Sequence, residues 1–412
     1  MTKNIFPLIL AIFFTTIIAF LIIKQIVYPT IIPMVTNGGA TLFADWTVIL
    51  NANNCLEKGY DVFVENPCDN WNRKHVYGEI LLKLPFIKTF PKFYYFYFPI
   101  IINFLFLYVI SLSIFNLKYK RLFPILLIFV FSLPVILVIE RTNIDLIIFI
   151  FLFLISRYNN LILNYFLIII SSIVKIYPIL ISVTFFFLEG KKKILFNFFF
   201  VLILVFILFI LQYENFIKIF SNKNQFIGIG YGLYEFSFIG FIEFINNLKI
   251  NFKGTNYNWI KHFYIFLFII IPIIITFYFN HSKINLIFSS SGLGLKNNFE
   301  NRIYFLSSTI ILVCYFTFSN FIYREIFFLG LIPALLYYKD ATKHKILPFY
   351  FYILIIKFLL TSFLVFFYQN NIFLMFKPFM IVLKHTLDIY LISFVLRFYL
   401  NFLLELYRKI FY

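Results

Sequence analysis

The chain has 412 residues, of which 62% are hydrophobic and only 13% charged, and its mean hydropathy of +0.94 is far above what a solvated globular surface tolerates, so a soluble fold is excluded. The formal net charge of +18 does not describe a nucleic-acid surface, because the 35 basic residues are scattered between apolar runs instead of forming a stripe or arm. Basic residues so placed flank spans, hold cytoplasmic loops and attract membrane lipids.

The expected architecture is an all-α integral membrane protein, a single polytopic domain over residues 1–412 with about twelve spans. Lys3 precedes an apolar stretch from Ile5 to Ile23 that is longer than a usual signal core and is not followed by a small-x-small cleavage site, so it reads as an uncleaved first span over about 5–28. A large outer loop over about 36–92 follows, carrying Asp45, Arg73, Lys74, Lys83 and Lys88. Cys55 and Cys68 share this loop, and both a pair and two free thiols remain open; Cys314 falls within a later apolar span and reads as packing.

Further spans are expected at 93–116, 122–139, 143–156, 161–175, 176–189, 194–212, 261–280, 303–321, 325–338, 346–367 and 372–399. With the N-terminus inside, the short loops holding Lys118, Lys120 and Arg121, then Arg157, then Lys191, Lys192 and Lys193, then Lys339, Lys343 and Lys345 all face the cytoplasm, as the positive-inside rule requires. Both termini are then cytoplasmic, and the location implied is a bacterial inner membrane. The segment 161–189 is too long for one span and breaks at Lys175-Ile-Tyr177-Pro178, giving two short half-spans. Interrupted helices at membrane depth persist only against protein or a water-filled cavity, so this break points toward a site. A second outer loop, about 213–260, holds a glycine and aromatic segment from Gly228 to Glu235 that reads as a lid or substrate-contacting stretch.

A charge at the centre of a span costs about 2.5 to 3.5 kcal/mol, so those present need a reason. Four groups fall on the outer side of this threading: Asp45; Glu140, Arg141 and Asp145; Lys175; and Arg324, which follows Tyr323. A carboxylate facing fixed cations suits a reaction whose leaving group is a lipid-linked phosphate, since the cations neutralise developing charge while the carboxylate takes a proton from an incoming hydroxyl. Simpler readings exist for each. Asp45 also reads as a helix cap, Arg141 and Asp145 as an intrahelical pair four apart, Lys175 as a snorkelling span-end lysine, and Arg324 as a partner of Glu325. His75 and His262 read as surface residues, and no cluster has metal-ligand spacing, so no metal and no cofactor are expected.

The ordered set of an aspartate in the first outer loop, Glu140-Arg-Thr-Asn-Ile-Asp145, Lys175-Ile-Tyr-Pro178 and Tyr323-Arg324 resembles glycosyltransferase family 87 of the GT-C superfamily, the polyprenyl-phosphate-mannose-dependent mannosyltransferases. The stretch from Asp45 through Lys58-Gly59-Tyr60 to Phe63 is similar to that family's early aspartate, small helix and Gly-x-x-x-Tyr/Phe. The resemblance covers residues 1 to about 340, and it departs from the family at Thr142, where relatives usually have glycine. It implies a GT-C-like helical bundle and an inverting hexosyltransferase. Asp45 would be the general base, with Lys175 and Arg324 on the donor phosphate and Arg141 assisting; Glu140, Asp145, Tyr177 and Tyr323 complete the implied substrate site. The implied partners are a polyprenyl-phosphate sugar donor and a glycan or glycolipid acceptor, with no nucleic acid. The competing readings are a transporter or flippase of lipid-linked sugars, whose critical charges would sit near the midplane, and a surface-polysaccharide polymerase or ligase.

Overall fold

The computed structural model describes residues 5–23, 42–84, 89–114, 123–158, 160–182, 194–221, 236, 270, 274, 298–317, 322–342, 346–369 and 377–411. All regular structure among them is helical, as the apolar composition requires of a chain that satisfies its own backbone. The chain divides into two compact units, one of residues 1–186 with 192–226 and one of residues 187–191 with 227–412.

The first unit contains α1 (Ile5–Ile23), α2 (Ala44–Glu57), α3 (Phe98–Ile114) entered through a π turn at Phe93–Tyr97, α4 (Phe123–Val130), α5 (Leu133–Arg141), α6 (Asp145–Arg157), α7 (Leu161–Val174) and α8 (Ile194–Ser221). α1 packs on α3, α3 on α6, and α6 on α7. Two segments, Ile5–Ile22 and Phe93–Ile114, are long and apolar enough to cross a membrane, and the pair α4 and α5, bent by 53°, makes a third if taken as one broken span. α6 and α7, with 13 and 14 residues, are shorter than the roughly 20 residues a straight crossing needs. α1 and α8 turn large apolar side chains outward, among them Ile9, Ile12, Phe199, Ile203, Phe206 and Ile210, all about half exposed or more; such a surface suits lipid, not water.

The break expected after Val174 is present. α7 ends there, Lys175 is extended, and Tyr177–Leu180 forms a single 3-10 turn with Pro178 in its first positions. The loop expected over 36–92 contains regular structure. α2 lies within it, and Trp46 anchors that helix by donating its indole N–H to the Tyr94 carbonyl at 2.9 Å and packing on Phe98 at 4.7 Å. Cys55 and Cys68 form a disulfide, and the bridge sits in a small core with Ala52, Val62, Phe63 and Leu82.

The second unit contains α9 (Phe299–Thr317), a 3-10 stretch at Ile322–Leu331, α10 (Ile332–Thr342), α11 (Ile346–Gln369) and α12 (Lys377–Phe411). The single helix expected over 325–338 is therefore divided, and Tyr323 and Arg324 open a 3-10 segment. That segment packs closely on α9 because Gly330, lacking a side chain, lies directly against Ser307. The span expected at 261–280, the Gly228 to Glu235 stretch, His262, and the basic loops at 118–121, 191–193 and 343–345 lie outside the described residues.

Candidate functional site

Asp45 sits in the first turn of α2, where the helix N-terminus favours a negative charge. It follows Phe43, held in the left-handed region at φ 60°, a conformation that costs an ordinary residue about 1 to 2 kcal/mol. Its carboxylate is almost fully buried. Oδ1 accepts from the Arg141 guanidinium at 3.0 Å and from Arg73 at 3.3 Å, and Oδ2 accepts from the Asn143 amide at 2.7 Å.

The turn between α5 and α6 delivers two of these partners. Arg141 ends α5, Thr142 reverses the chain at φ 44°, and Asp145 opens α6. A positive φ on a β-branched residue is strained, and glycine would adopt it without penalty. That is the position at which the resembled family usually carries glycine. In this chain the Thr142 hydroxyl offsets part of the strain by accepting from the buried Asn103 amide at 3.2 Å and donating to the Ile139 carbonyl at 3.2 Å.

Because the two helices diverge at this turn, Arg141 and Asp145 do not form the intrahelical pair that their spacing allows: Arg141 pairs with Asp45, and Asp145 pairs with Lys175. The Lys175 ammonium is nine-tenths buried and Asp145 fully so. Tyr177 also donates its hydroxyl to the Asp145 carboxylate. Lys175 is therefore drawn inward, not snorkelling, with the rings of Tyr77 and Tyr177 within 5.3 and 5.7 Å.

Asn143 connects the two pairs. Its Nδ2 donates to Asp45 while its Oδ1 accepts from Lys175 Nζ at 3.1 Å and from the Asp145 backbone N–H at 3.0 Å. One amide thus links the carboxylate of residue 45 to the amine of residue 175, and the direction of its hydrogen bonds fixes which end is oxygen. Glu140 is buried at the end of α5.

The segment between α2 and α3 closes over this constellation. Gly78 N–H donates to the Val174 carbonyl, tying the loop to the residue before Lys175. His75, expected at the surface, is wholly buried, with Phe63 at 5.3 Å and Tyr77 at 5.8 Å between ring centroids. Burial pushes its imidazole down from 6.5 to about 4, because desolvation opposes the charged form more than the neighbouring backbone groups support it.

Arg73, Asp69 and Asn143 were not singled out by sequence. Arg73 is one of six Lys and Arg residues in the loop over 36–92, Asp69 one of several acids there, and Asn143 one position within a turn; no spacing rule pairs any of them with Asp45. Tyr323 and Arg324 belong to the second unit, where Tyr323 is buried and Arg324 partly so. Glu325 pairs there with Lys357 at 2.6 Å and Lys384 at 3.5 Å, and Asp388 with Lys357 at 2.7 Å and Lys384 at 3.3 Å. All four side chains are buried. Lys357, Lys384 and Asp388 lie inside apolar helices that sequence reading treated only as spans. Among the described residues no group of His, Cys, Asp and Glu has the arrangement to hold a metal ion. No protein-family profile, curated protein or solved structure matches the chain.

Proposed function

We propose that the chain is a multi-pass membrane glycosyltransferase of the GT-C type, with about twelve spans, that moves a hexose from a polyprenyl-phosphate donor to an acceptor hydroxyl on the non-cytoplasmic face. The observation that carries the reading is the meeting of Asp45, Arg141, Asn143 and Lys175, residues from three separate parts of the chain, in one buried hydrogen-bonded set. Random burial of charge is costly, and a set of this kind in an apolar protein is a functional hypothesis by default. The disulfide beside it supports the side assigned, since such bonds persist in oxidising compartments outside the cytoplasm. A small, mostly apolar pocket of about 30 Å³, lined by Ile18, Ile22, Phe43, Phe96 and Leu107, reaches within two residues of Asp45.

In the proposed reaction the acceptor oxygen attacks the anomeric carbon as Asp45 takes its proton. The bond from that carbon to the phosphate oxygen breaks, inverting the centre, and the phosphate leaves with the electron pair. Lys175 and Arg141 neutralise the charge that develops on it. Asp45 holds Arg73 and Arg141, and Asp145 holds Lys175, so in the proposed reaction the donor phosphate takes over cation contacts that the carboxylates make without it.

The test is incubation of purified protein with labelled polyprenyl-phosphate hexose and acceptor lipids. Transfer by wild type that falls by about 10² to 10⁴ in Asp45→Asn supports the reading; wild-type turnover in that variant removes Asp45 from the mechanism. One observation favours the transporter reading instead. The buried quartet joins Glu325 of the 3-10 stretch to Lys357 on α11 and Lys384 and Asp388 on α12, buried charges inside apolar segments of the kind proton-coupled transporters use. Sugar-lipid movement across vesicles, abolished by Lys357→Met with Asp388→Asn in the absence of any transfer product, would decide for it.

A further inference from the structure

Arg73 is held by several groups beside Asp45. Its Nε and Nη2 grip the Asp69 carboxylate in a fork at 3.0 Å each, Nη2 also donates to the Ala44 carbonyl at 2.8 Å, and Nη1 reaches Asp45 at 3.3 Å. The guanidinium lies 4.4 Å from the Trp71 ring centroid. Asp69 in turn accepts the backbone N–H groups of Trp71 and Arg73, both at 3.1 Å, so one carboxylate shapes the turn and orients the side chain that leaves it. Asp69 directly follows Cys68, and Cys68 is bridged to Cys55 on the helix whose first turn holds Asp45. The Asn66 amide closes the turn on the Arg73 carbonyl at 2.9 Å.

We infer that Arg73 is a positioning residue for Asp45, clamped by Asp69, and that the Cys55–Cys68 bridge holds this clamp to α2, making the site dependent on oxidation of that disulfide. The inference rests on the transferase reading for its consequence in turnover, although the clamp itself does not. The bridge is the covalent tie between the turn at 66–73 and the far end of the helix bearing the carboxylate. Without it, the covalent path from the turn to α2 runs only through residues 58–65, and the Arg73 contact to Asp45 at 3.3 Å moves with the turn. A shift of about 1 Å in a reacting group costs up to about 100-fold in rate.

Turnover and stability are read separately. In the transfer assay, Arg73→Lys keeps the charge but loses the fork, so it should fall as far as Arg73→Met, by roughly 10- to 100-fold in kcat with donor KM little changed. Asp69→Glu should retain more activity than Asp69→Asn. Full activity in Arg73→Lys would show that only the charge matters and would overturn the positioning role. Reduction of wild-type protein should lower kcat to the level of Cys55→Ser with Cys68→Ser, and reoxidation should restore it; equal kcat in oxidised and reduced protein refutes the redox dependence. If wild type transfers no sugar, the functional reading fails, and the clamp is then decided by stability alone. The shift in Tm from Arg73→Met should depend on whether Asp45 is present, and this coupling should shrink when the disulfide is reduced. Coupling that is absent, or unchanged on reduction, sinks the clamp.

Discussion

Replacing Lys175 by methionine keeps the length and apolar stem of the side chain but removes the ammonium facing Asp145. The pair is buried, with 9% of the lysine side chain and none of the aspartate side chain accessible, so solvent screens it little. What remains is a buried carboxylate with the Tyr177 hydroxyl but without its cation. Breaking a pair in this way costs about 3 to 5 kcal/mol, most of it the penalty of the stranded charge. Adding Asp145→Asn removes that charge while leaving an acceptor for Tyr177, and the double variant should return to within about 1 kcal/mol of wild type. Denaturant unfolding in detergent micelles measures both. Donor binding should behave differently. The double variant is folded but has lost a charge-assisted hydrogen bond to phosphate of about 1.5 to 3 kcal/mol, so its affinity for polyprenyl-phosphate hexose should fall by roughly 10- to 150-fold. A single variant that unfolds like wild type, or a double variant no more stable than the single, would refute the assignment of Lys175 and Asp145 as a buried pair. Recovered stability with unchanged donor affinity would leave the pair intact and remove Lys175 from the donor site.

His75 gives a pH dependence of known sign. The unfolded imidazole takes a proton near 6.5 and the folded one only at about 4. The stability it contributes, roughly 3 kcal/mol, is therefore complete above 6.5 and is lost as pH falls toward 4; His75→Phe should lack that slope, and identical slopes would contradict its burial as a neutral ring. Thr142→Val keeps the strained φ but removes the hydroxyl that serves Asn103, and should cost about 1 to 3 kcal/mol. Thr142→Gly relieves the strain and should be the more stable of the two, an order that unfolding measurements check directly. Gly330→Ala places a methyl against Ser307, whose Cβ would lie 2.8 Å away. It should destabilise by about 1 to 3 kcal/mol, with Ser307→Gly in the same chain restoring much of the loss; no effect of Gly330→Ala would mean that α9 and the 3-10 stretch do not pack this closely.

Much of the local structure follows from composition and punctuation. An apolar chain must satisfy its backbone within each segment, which dictates helices, and Pro178 together with the polar residues from Glu140 to Asp145 marks where they stop. The sequence also isolates Asp45, Arg141, Asp145 and Lys175 as charges that need a reason, because each stands beside long apolar runs. It does not determine their partners. A buried charge requires an opposite one, yet linear distance says nothing about which: Asp45 finds Arg73 and Arg141, residues 28 and 96 positions away, only because α2 packs beside the α5–α6 turn under a loop tied by a disulfide. Arg141 and Asp145, whose spacing of four also allows a single intrahelical pair, separate because Thr142 turns the chain between them. The quartet of Glu325, Lys357, Lys384 and Asp388 was invisible for the same reason. Composition and spacing decide that charges inside an apolar protein will be neutralised; helix packing alone chooses the partner, because that choice depends on which faces meet.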